Sequence, residues 1–433
     1  MSEIFEFLQE AVCGIFLPTL LFTFGAVFFL RLFRYVIDIR FIRRSFRNGC
    51  SLSSLWLALG GTLGVGNITG VCAAIAVGGP GCVFWIWICA IFSAITKYTE
   101  TALAVMYRNS NGGGAHSYIK NGLGLKKLAA FFCALCILTS FTLGNVTQVK
   151  ASADFSLYTI GIPRYVTAVA FLLAVFIVCI GKGKRISGFT SSVVPILCSV
   201  YTVLCIILIV GYRENIPSVT ARIFNEAFSF RSAGSGALAA IFSPTVRLGV
   251  TRGLTSNEAG CGTAPISYAS DPCALPVSSG MLGAAEVLID TLLLCTLTAY
   301  AVLLPEVSFE QGSAKAITEA ITLSVGNIAR PILCASVFLF ALASVCAWSF
   351  YAIKSAEALG LKRSFFVFYS AAYPLTAFFG CFASEGGSWI AADLTVSAMA
   401  IINTVCVGAL FGKVVDLTKR EYQKLTSAQS LKH

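Results

Sequence analysis

Twenty consecutive residues without a charge, Ala11 to Leu30, followed at once by Arg31, Arg34, Arg40, Arg43, Arg44 and Arg47, constrain this chain more than any other feature. An uncharged run of that length spans the hydrocarbon core of a bilayer as a helix. Basic residues collect on the cytoplasmic side of a span, so the arginines put the loop after Leu30 inside and the N-terminus outside. The remainder agrees with a polytopic membrane protein: 57% of the 433 residues are apolar and 12% are charged, against roughly a quarter charged in a soluble globule. The net charge of +11 is then a topological signal in cytoplasmic loops and not a nucleic-acid footprint. The acidic start, MSEIFEFLQE, argues against a cleavable signal peptide.

Further apolar stretches follow at Ser51–Val77, Pro80–Met106, Leu128–Tyr158, Tyr165–Ile180, Ser187–Tyr212, Gly234–Thr255, Val287–Leu304, Pro331–Tyr351, Phe365–Phe382 and Trp389–Phe411. With the first, they make about eleven spans. The loops that this count places inside carry Arg108 and Lys120, Lys182 to Arg185, Lys354 with Lys362, and Lys413 to Lys424, so the basic residues agree with an N-out, C-in topology. Gln311–Ile328 reads as a polar outer segment. The organisation expected is an extra N-terminal helix and basic loop (1–50), five helices (51–212), an outer connection (213–233), five more helices (234–411) and a cytoplasmic tail (412–433).

Within the second stretch, GGTLGVGNITG places Gly60, Gly61, Gly64, Gly66 and Gly70 around Asn67, a poor continuous helix. A break at membrane depth is tolerated where the freed backbone lines a cavity, and there its N–H and C=O groups can bind a ligand. Close packing through small-xxx-small pairs is the alternative use of the same glycines. A second interruption is expected near Pro244 and Gly249. Two halves of opposite orientation, each opened by an interrupted helix, are the pattern of inverted-repeat secondary transporters.

Seventeen cysteines lie mostly inside apolar runs and read as small buried hydrophobes. Cys133 and Cys136 have no second pair or histidine near them, so a metal site is not expected there. His116, in NGGGAHSYIK, reads as a solvated loop residue. No nucleophile, base or metal set points to an enzyme, and a sensor would need an output domain that these motifs do not supply.

The strings G-x-G-N-I-x-G-V (64–71), GGPG (78–81), FWIW (84–87), TKYTE (96–100), RGLTSNEAG (252–260), API (264–266) and IDTLLLCTLTA (289–299) resemble the bacterial alanine or glycine:cation symporters. The resemblance runs from about residue 50 to 403. It implies a leucine-transporter-type 5+5 inverted-repeat fold, all-α, carrying a small neutral amino acid with sodium by alternating access in a bacterial or archaeal cytoplasmic membrane. It also implies substrate contacts from Thr62, Gly66, Asn67, Gln148 and Trp348, and sodium contacts from Gly64, Asn67 and Ser344. Arg247, Glu258 and Asp290 are ionisable groups in or near spans, to which it gives a scaffold role.

Two positions depart from the family. Its hydroxyl pair appears here as Ala343-Ser344, removing one oxygen from the expected sodium site, and hard cations need several. Lys150 stands where asparagine is usual. An intramembrane lysine requires a partner: either it pairs with Asp154, one helical turn away, or its charge replaces sodium in a proton-coupled or sodium-independent carrier.

Overall fold

The computed structural model describes residues 11–47, 52–110, 112–180, 182–228 and 243–430. Among them the chain is helical: α1 (Leu17–Val36), α2 (Ile39–Arg47), α3 (Leu52–Thr62), α4 (Thr69–Gly78), α5 (Cys82–Met106), α6 (Lys126–Phe141), α7 (Thr147–Ile160), α8 (Arg164–Ile180), α9 (Lys182–Gly211), α10 (Ile216–Ala227), α11 (Pro244–Asn257), α12 (Ala264–Ala269), α13 (Pro276–Val287), α14 (Thr296–Leu303), α15 (Ser313–Val325), α16 (Ala329–Ala358), α17 (Arg363–Gly380) and α18 (Glu385–Ser430). Two stretches of π-helix, Thr142–Val146 and Leu288–Cys295, join α6 to α7 and α13 to α14 without ending either rod.

Seven helices among the described residues are long and apolar enough to cross a membrane. The pair Leu52–Thr62 and Val65–Gly78, bent by 69°, makes an eighth when taken as one span. Other segments expected to span are shorter or broken: Arg164–Cys179 is a short apolar helix, and α11 ends after 14 residues.

The first interruption lies where the glycines put it. α3 ends at Thr62, Gly64 is extended (φ −112°, ψ −167°), and a single 3₁₀ turn over Val65–Asn67 leads into α4. Among the described residues, which resume at Ser243, the second lies neither at Pro244 nor at Gly249. That proline occupies the first turn of α11, where its missing N–H costs nothing. Gly249 and Gly253 are packing glycines: a Cβ at Gly249 would come 2.6 Å from the Cys82 carbonyl, and one at Gly253 2.8 Å from Cys89 Cβ, so α11 lies tightly on α5. The chain breaks instead between Asn257 and Ala264. Glu258 takes a left-handed conformation (φ 51°), and Gly260 and Gly262 have φ of +86° and +75°. The start of the expected span at Gly234 lies outside the described residues.

Three other boundaries move. The helix expected from Val287 begins at Pro276; its buried face carries Glu286 and, beyond, Asp290. Gln311–Ile328 contains α15, whose Ile317 and Ile321 are fully buried. α18 continues past Phe411 to Ser430, and Tyr422 donates to Asp38 Oδ2 at 2.8 Å, tying the two ends of the chain together.

α16 runs through the middle, against α3, α6, α7 and α9. Its small residues Ala343, Ser344 and Ala347, all wholly buried, admit the backbone of α3. A Cβ on Gly61 would lie 2.6 Å from the Tyr351 hydroxyl, so that approach requires glycine.

Candidate functional site

The two interruptions enclose a cavity of about 70 Å³. Gly61 to Asn67 form one side and Leu254 to Cys261 the other; Gln148, Arg252 and Asp393 complete its polar wall, and Leu17, Leu21, Leu143 and Val396 its apolar wall. The glycines divide the work. Gly60 and Gly61 pack against Thr190 and Tyr351, whereas a Cβ on Gly66 would meet nothing within 4 Å. Gly66 faces open space, and close packing does not explain it.

Gln148 fixes the unwound segment. Its Oε1 accepts the Val65 N–H at 3.2 Å, and its amide lies so close to Gly64 that a Cβ there would come 3.1 Å from the amide carbon. Gln148, Gly66 and Arg252 line both this cavity and a wider cleft of about 480 Å³, so they form the partition between the two. Asp393 is the charged neighbour of Arg252.

Asn67 is buried. Its Nδ2 donates to Asp290 Oδ1 at 2.7 Å and to Ser256 Oγ at 3.0 Å, and its backbone carbonyl accepts from Thr298 Oγ1 at 3.0 Å. Asp290 Oδ2 accepts from Ser256 Oγ at 2.6 Å and Thr291 Oγ1 at 2.8 Å. The Asn67 Oδ1 is buried without a partner. Oxygen from four side chains thus converges where the first break, α11 and the π-helical turn meet, around a carboxylate whose hydrogen-bond partners are all neutral.

Of the residues read from the sequence, Thr62, Gly64, Gly66, Asn67 and Gln148 come together at the cavity. The others lie elsewhere. Ser344 donates to the Gly61 carbonyl at 3.1 Å. Trp348 is not among the lining residues: Gly144 packs on its ring, and its Nε1 donates to Glu258 Oε1 at 3.2 Å, so it reaches the cavity only by holding Glu258. Lys150 and Asp154 line the wider cleft, ion-paired with each other, and Asp154 also takes Arg164 at 2.7 Å.

Sequence reasoning named Glu258 and Asp290 only as scaffold, and gave no role to Ser256, Arg252 or Asp393. The available signal was the RGLTSNEAGCG string, where Asn257 and Glu258 precede two glycines. Asn257 closes the helix end locally, its Oδ1 accepting the Ala259 N–H at 2.9 Å. His116 is half-buried rather than a free loop residue: it stands in a helical turn, Ala115–Ser117, its Nδ1 is buried without a partner, and burial pushes its pKa down to about 4. Among the described residues no group of three His, Cys, Asp or Glu side chains is placed to hold a metal.

Comparison with known proteins shows the family of this chain. The model of the sodium:alanine symporter family matches residues 1–433. The chain is 31% identical to an uncharacterized transporter of Haemophilus influenzae, covering 94% of both chains. It is 34% identical to a sodium/alanine symporter of Methanococcus maripaludis, covering 84% of this chain and 83% of that one. It is 32% identical to a probable sodium/glutamine symporter of Bacillus subtilis, covering 95% and 88%. This chain, an all-helical membrane protein built around two facing helix breaks, belongs to the sodium:alanine symporter family.

Proposed function

We propose that the protein imports a small neutral amino acid, alanine or glycine, together with sodium by alternating access. The cavity at Gly66 carries this reading. A water needs at least about 10–15 Å³ of such space, so a cavity of about 70 Å³ holds more than one water-sized group, which suits a small amino acid. The first turns of α4 present backbone N–H groups and a positive helix end for the carboxylate. The end of α11, with Glu258, presents a negative helix end for the ammonium. Leu143, Val396 and the two leucines of α1 receive the methyl group.

Sodium takes oxygen ligands, and the oxygens of Asn67, Ser256, Asp290 and Thr291 fit it better than the set around Ser344. Asn67 Oδ1 is a buried acceptor without a partner, and Asp290 is a carboxylate bound only to neutral donors. The Ser344 hydroxyl and the Gly61 carbonyl are already bonded to each other, although they and Gly64 offer a second, poorer set beside the same helix end. When bound, sodium supplies positive charge next to the substrate carboxylate. Sodium replacement by Lys150 has less support, because Lys150 lies in the outer cleft and shares Asp154 with Arg164.

The topology that goes with this reading is eleven spans, N-out and C-in, with the repeats 51–212 and 234–411 each contributing one break. It puts the protein in the cytoplasmic membrane of its cell, with the arginines of α1 and α2 inside. The matched positions of the breaks, at the start of each repeat, support it.

Uptake of labelled alanine and glycine into proteoliposomes, with sodium and proton gradients imposed separately, tests the reading. A sodium gradient drives uptake of both amino acids, and Asp290→Asn removes the sodium dependence. Accumulation of neither amino acid under any gradient overturns it.

A further inference from the structure

α2, with the sequence IRFIRRSFR, carries arginine and apolar residues in equal number and no acid. It begins three residue steps after α1 ends at Val36, a reach of at most about 11 Å. α1 belongs to a helix long and apolar enough to cross a membrane, Gly14–Val36. α2 therefore lies where that span meets the bilayer surface.

Its two faces have different surroundings. Phe41 and Ser45 are buried and, with Arg44, face Leu275 to Ser278 and Leu417. The Phe41 ring lies 5.4 Å from that of Tyr422, and Arg44 Nη1 donates to the Lys424 carbonyl at 3.4 Å, so this side is covered by the start of α13 and the end of α18. On the other side Ile39 (77% exposed), Arg43 and Phe46 (41%) stand at i, i+4 and i+7, one face of a helix. Arg40 is exposed beside them, its Nη2 3.1 Å from Asp38 Oδ2. Asp38 is the acid nearest this face in sequence, and it is shared with Tyr422 at 2.8 Å. A guanidinium has five N–H donors, so Arg40 keeps others for a second anion.

Three observations decide what covers the exposed face. It offers guanidinium groups and no carboxylate, so its partner is anionic. Large apolar side chains alternate with those groups, the composition of a helix lying in the headgroup layer with its apolar side chains at the acyl boundary. It adjoins the end of a span. A second copy of the chain fits poorly, because a two-fold contact sets the same arginines against each other. We propose that this face of α2 is a docking surface for anionic phospholipid, its phosphate held by Arg40 and Arg43 and its acyl chains receiving Ile39 and Phe46. Guanidinium groups take phosphate oxygens by parallel hydrogen bonds. A zwitterionic lipid carries its own cation beside the phosphate, so the surface selects by net charge. The inference goes beyond the symport reading and needs neither the substrate nor the ion.

Local photo-crosslinking on the full chain tests it. The photoreactive amino acid p-benzoylphenylalanine replaces Phe46, aromatic for aromatic at an exposed position, and the protein is reconstituted into vesicles of equal phosphatidylglycerol and phosphatidylcholine. Mass spectrometry of the crosslinked peptide then gives the ratio of the two lipids. The expected ratio favours phosphatidylglycerol and falls about fivefold for each of Arg40→Gln and Arg43→Gln. It also falls toward one at about 1 M salt, a comparison that needs no arginine replaced. Lys362→Gln with Arg363→Gln, which removes the same charge from an exposed loop elsewhere, leaves the ratio unchanged. A ratio of one at low salt, a ratio that survives loss of both arginines, or one that falls equally with Lys362 and Arg363 overturns the proposal. Crosslinking to a second copy of the chain in place of lipid overturns it too, and assigns the face to self-association.

Discussion

Asn67 and Asp290, 223 residues apart in sequence, meet at 2.7 Å, joining the first helix break to the π-helical turn between α13 and α14. The contact ties the break to the turn. Replacing Asn67 by Ala leaves the Asp290 carboxylate short of one N–H donor at the cost of about 1.5–3 kcal/mol for a hydrogen bond to a charged group. The expected outcome is a lower melting temperature together with loss of sodium-stimulated uptake, read by fluorescence-detected thermal unfolding and proteoliposome flux. An unchanged melting temperature counts against the coupling.

Gly64 and Gly66, two residues apart, respond differently to a methyl group. At Gly66 a Cβ points into empty space, so Gly66→Ala folds as the wild type does but occupies substrate volume. One extra methyl in a close-fitting pocket weakens transport about tenfold or more, and alanine suffers more than glycine. At Gly64 the Cβ meets the Gln148 amide, so Gly64→Ala destabilises the protein by ~1–3 kcal/mol. Side-by-side melting curves and KM values distinguish the two.

Gln148→Leu removes the acceptor for the Val65 N–H and the polar partition between cavity and cleft. Loss of one hydrogen bond of about 1.4 kcal/mol lowers apparent substrate affinity about tenfold. Competition uptake assays measure it, and an affinity equal to the wild type is the contrary result.

Lys150→Asn leaves Asp154 paired with Arg164. The variant folds and keeps sodium-dependent uptake. Sodium-independent uptake by the wild type that disappears in Lys150→Asn is the opposite outcome, and it revives the replacement of the ion by this lysine.

His116 gives the protein an acid sensitivity. Its pKa in the folded state, about 4, lies below the ordinary 6.5, so the folded chain holds the ring neutral where the unfolded chain protonates it. The resulting stability is complete above pH 6.5 and is lost progressively as pH falls from there toward 4. His116→Asn flattens that part of the profile of melting temperature against pH. A wild-type profile already flat between pH 7 and 5 argues against the burial of this ring.

The sequence made one half of the site readable and concealed the other for a physical reason. Gly64, Gly66 and Asn67 interrupt an apolar run with residues that are poor in helices, so their break is visible locally. The second break carries a weaker mark, Gly260 and Gly262 in a polar string. Pro244 and Gly249 look like punctuation, yet a proline in a first turn is silent and a glycine against Cys82 is packing. The true interruption is at Glu258, whose left-handed conformation no residue type announces. Trp348 was readable as a large buried ring, but not as the partner of Glu258 rather than of substrate, because that depends on which face of α16 meets α11. The long apolar helices were legible from hydropathy, but the start of one at Pro276 was not, because Ser278, Ser279 and Glu286 interrupt the apolar pattern of its first turns.

α18 carries Asp393 at the cavity wall and Tyr422 at the contact with Asp38 on one unbroken rod. Those two residues are separated by roughly 44 Å of helix at 1.5 Å per residue. A tilt at the cavity end is therefore transmitted as a lever movement to the basic N-terminal segment, and a spectroscopic label near Tyr422 can report, from outside the membrane core, whether the chamber around Gly66 is open or shut.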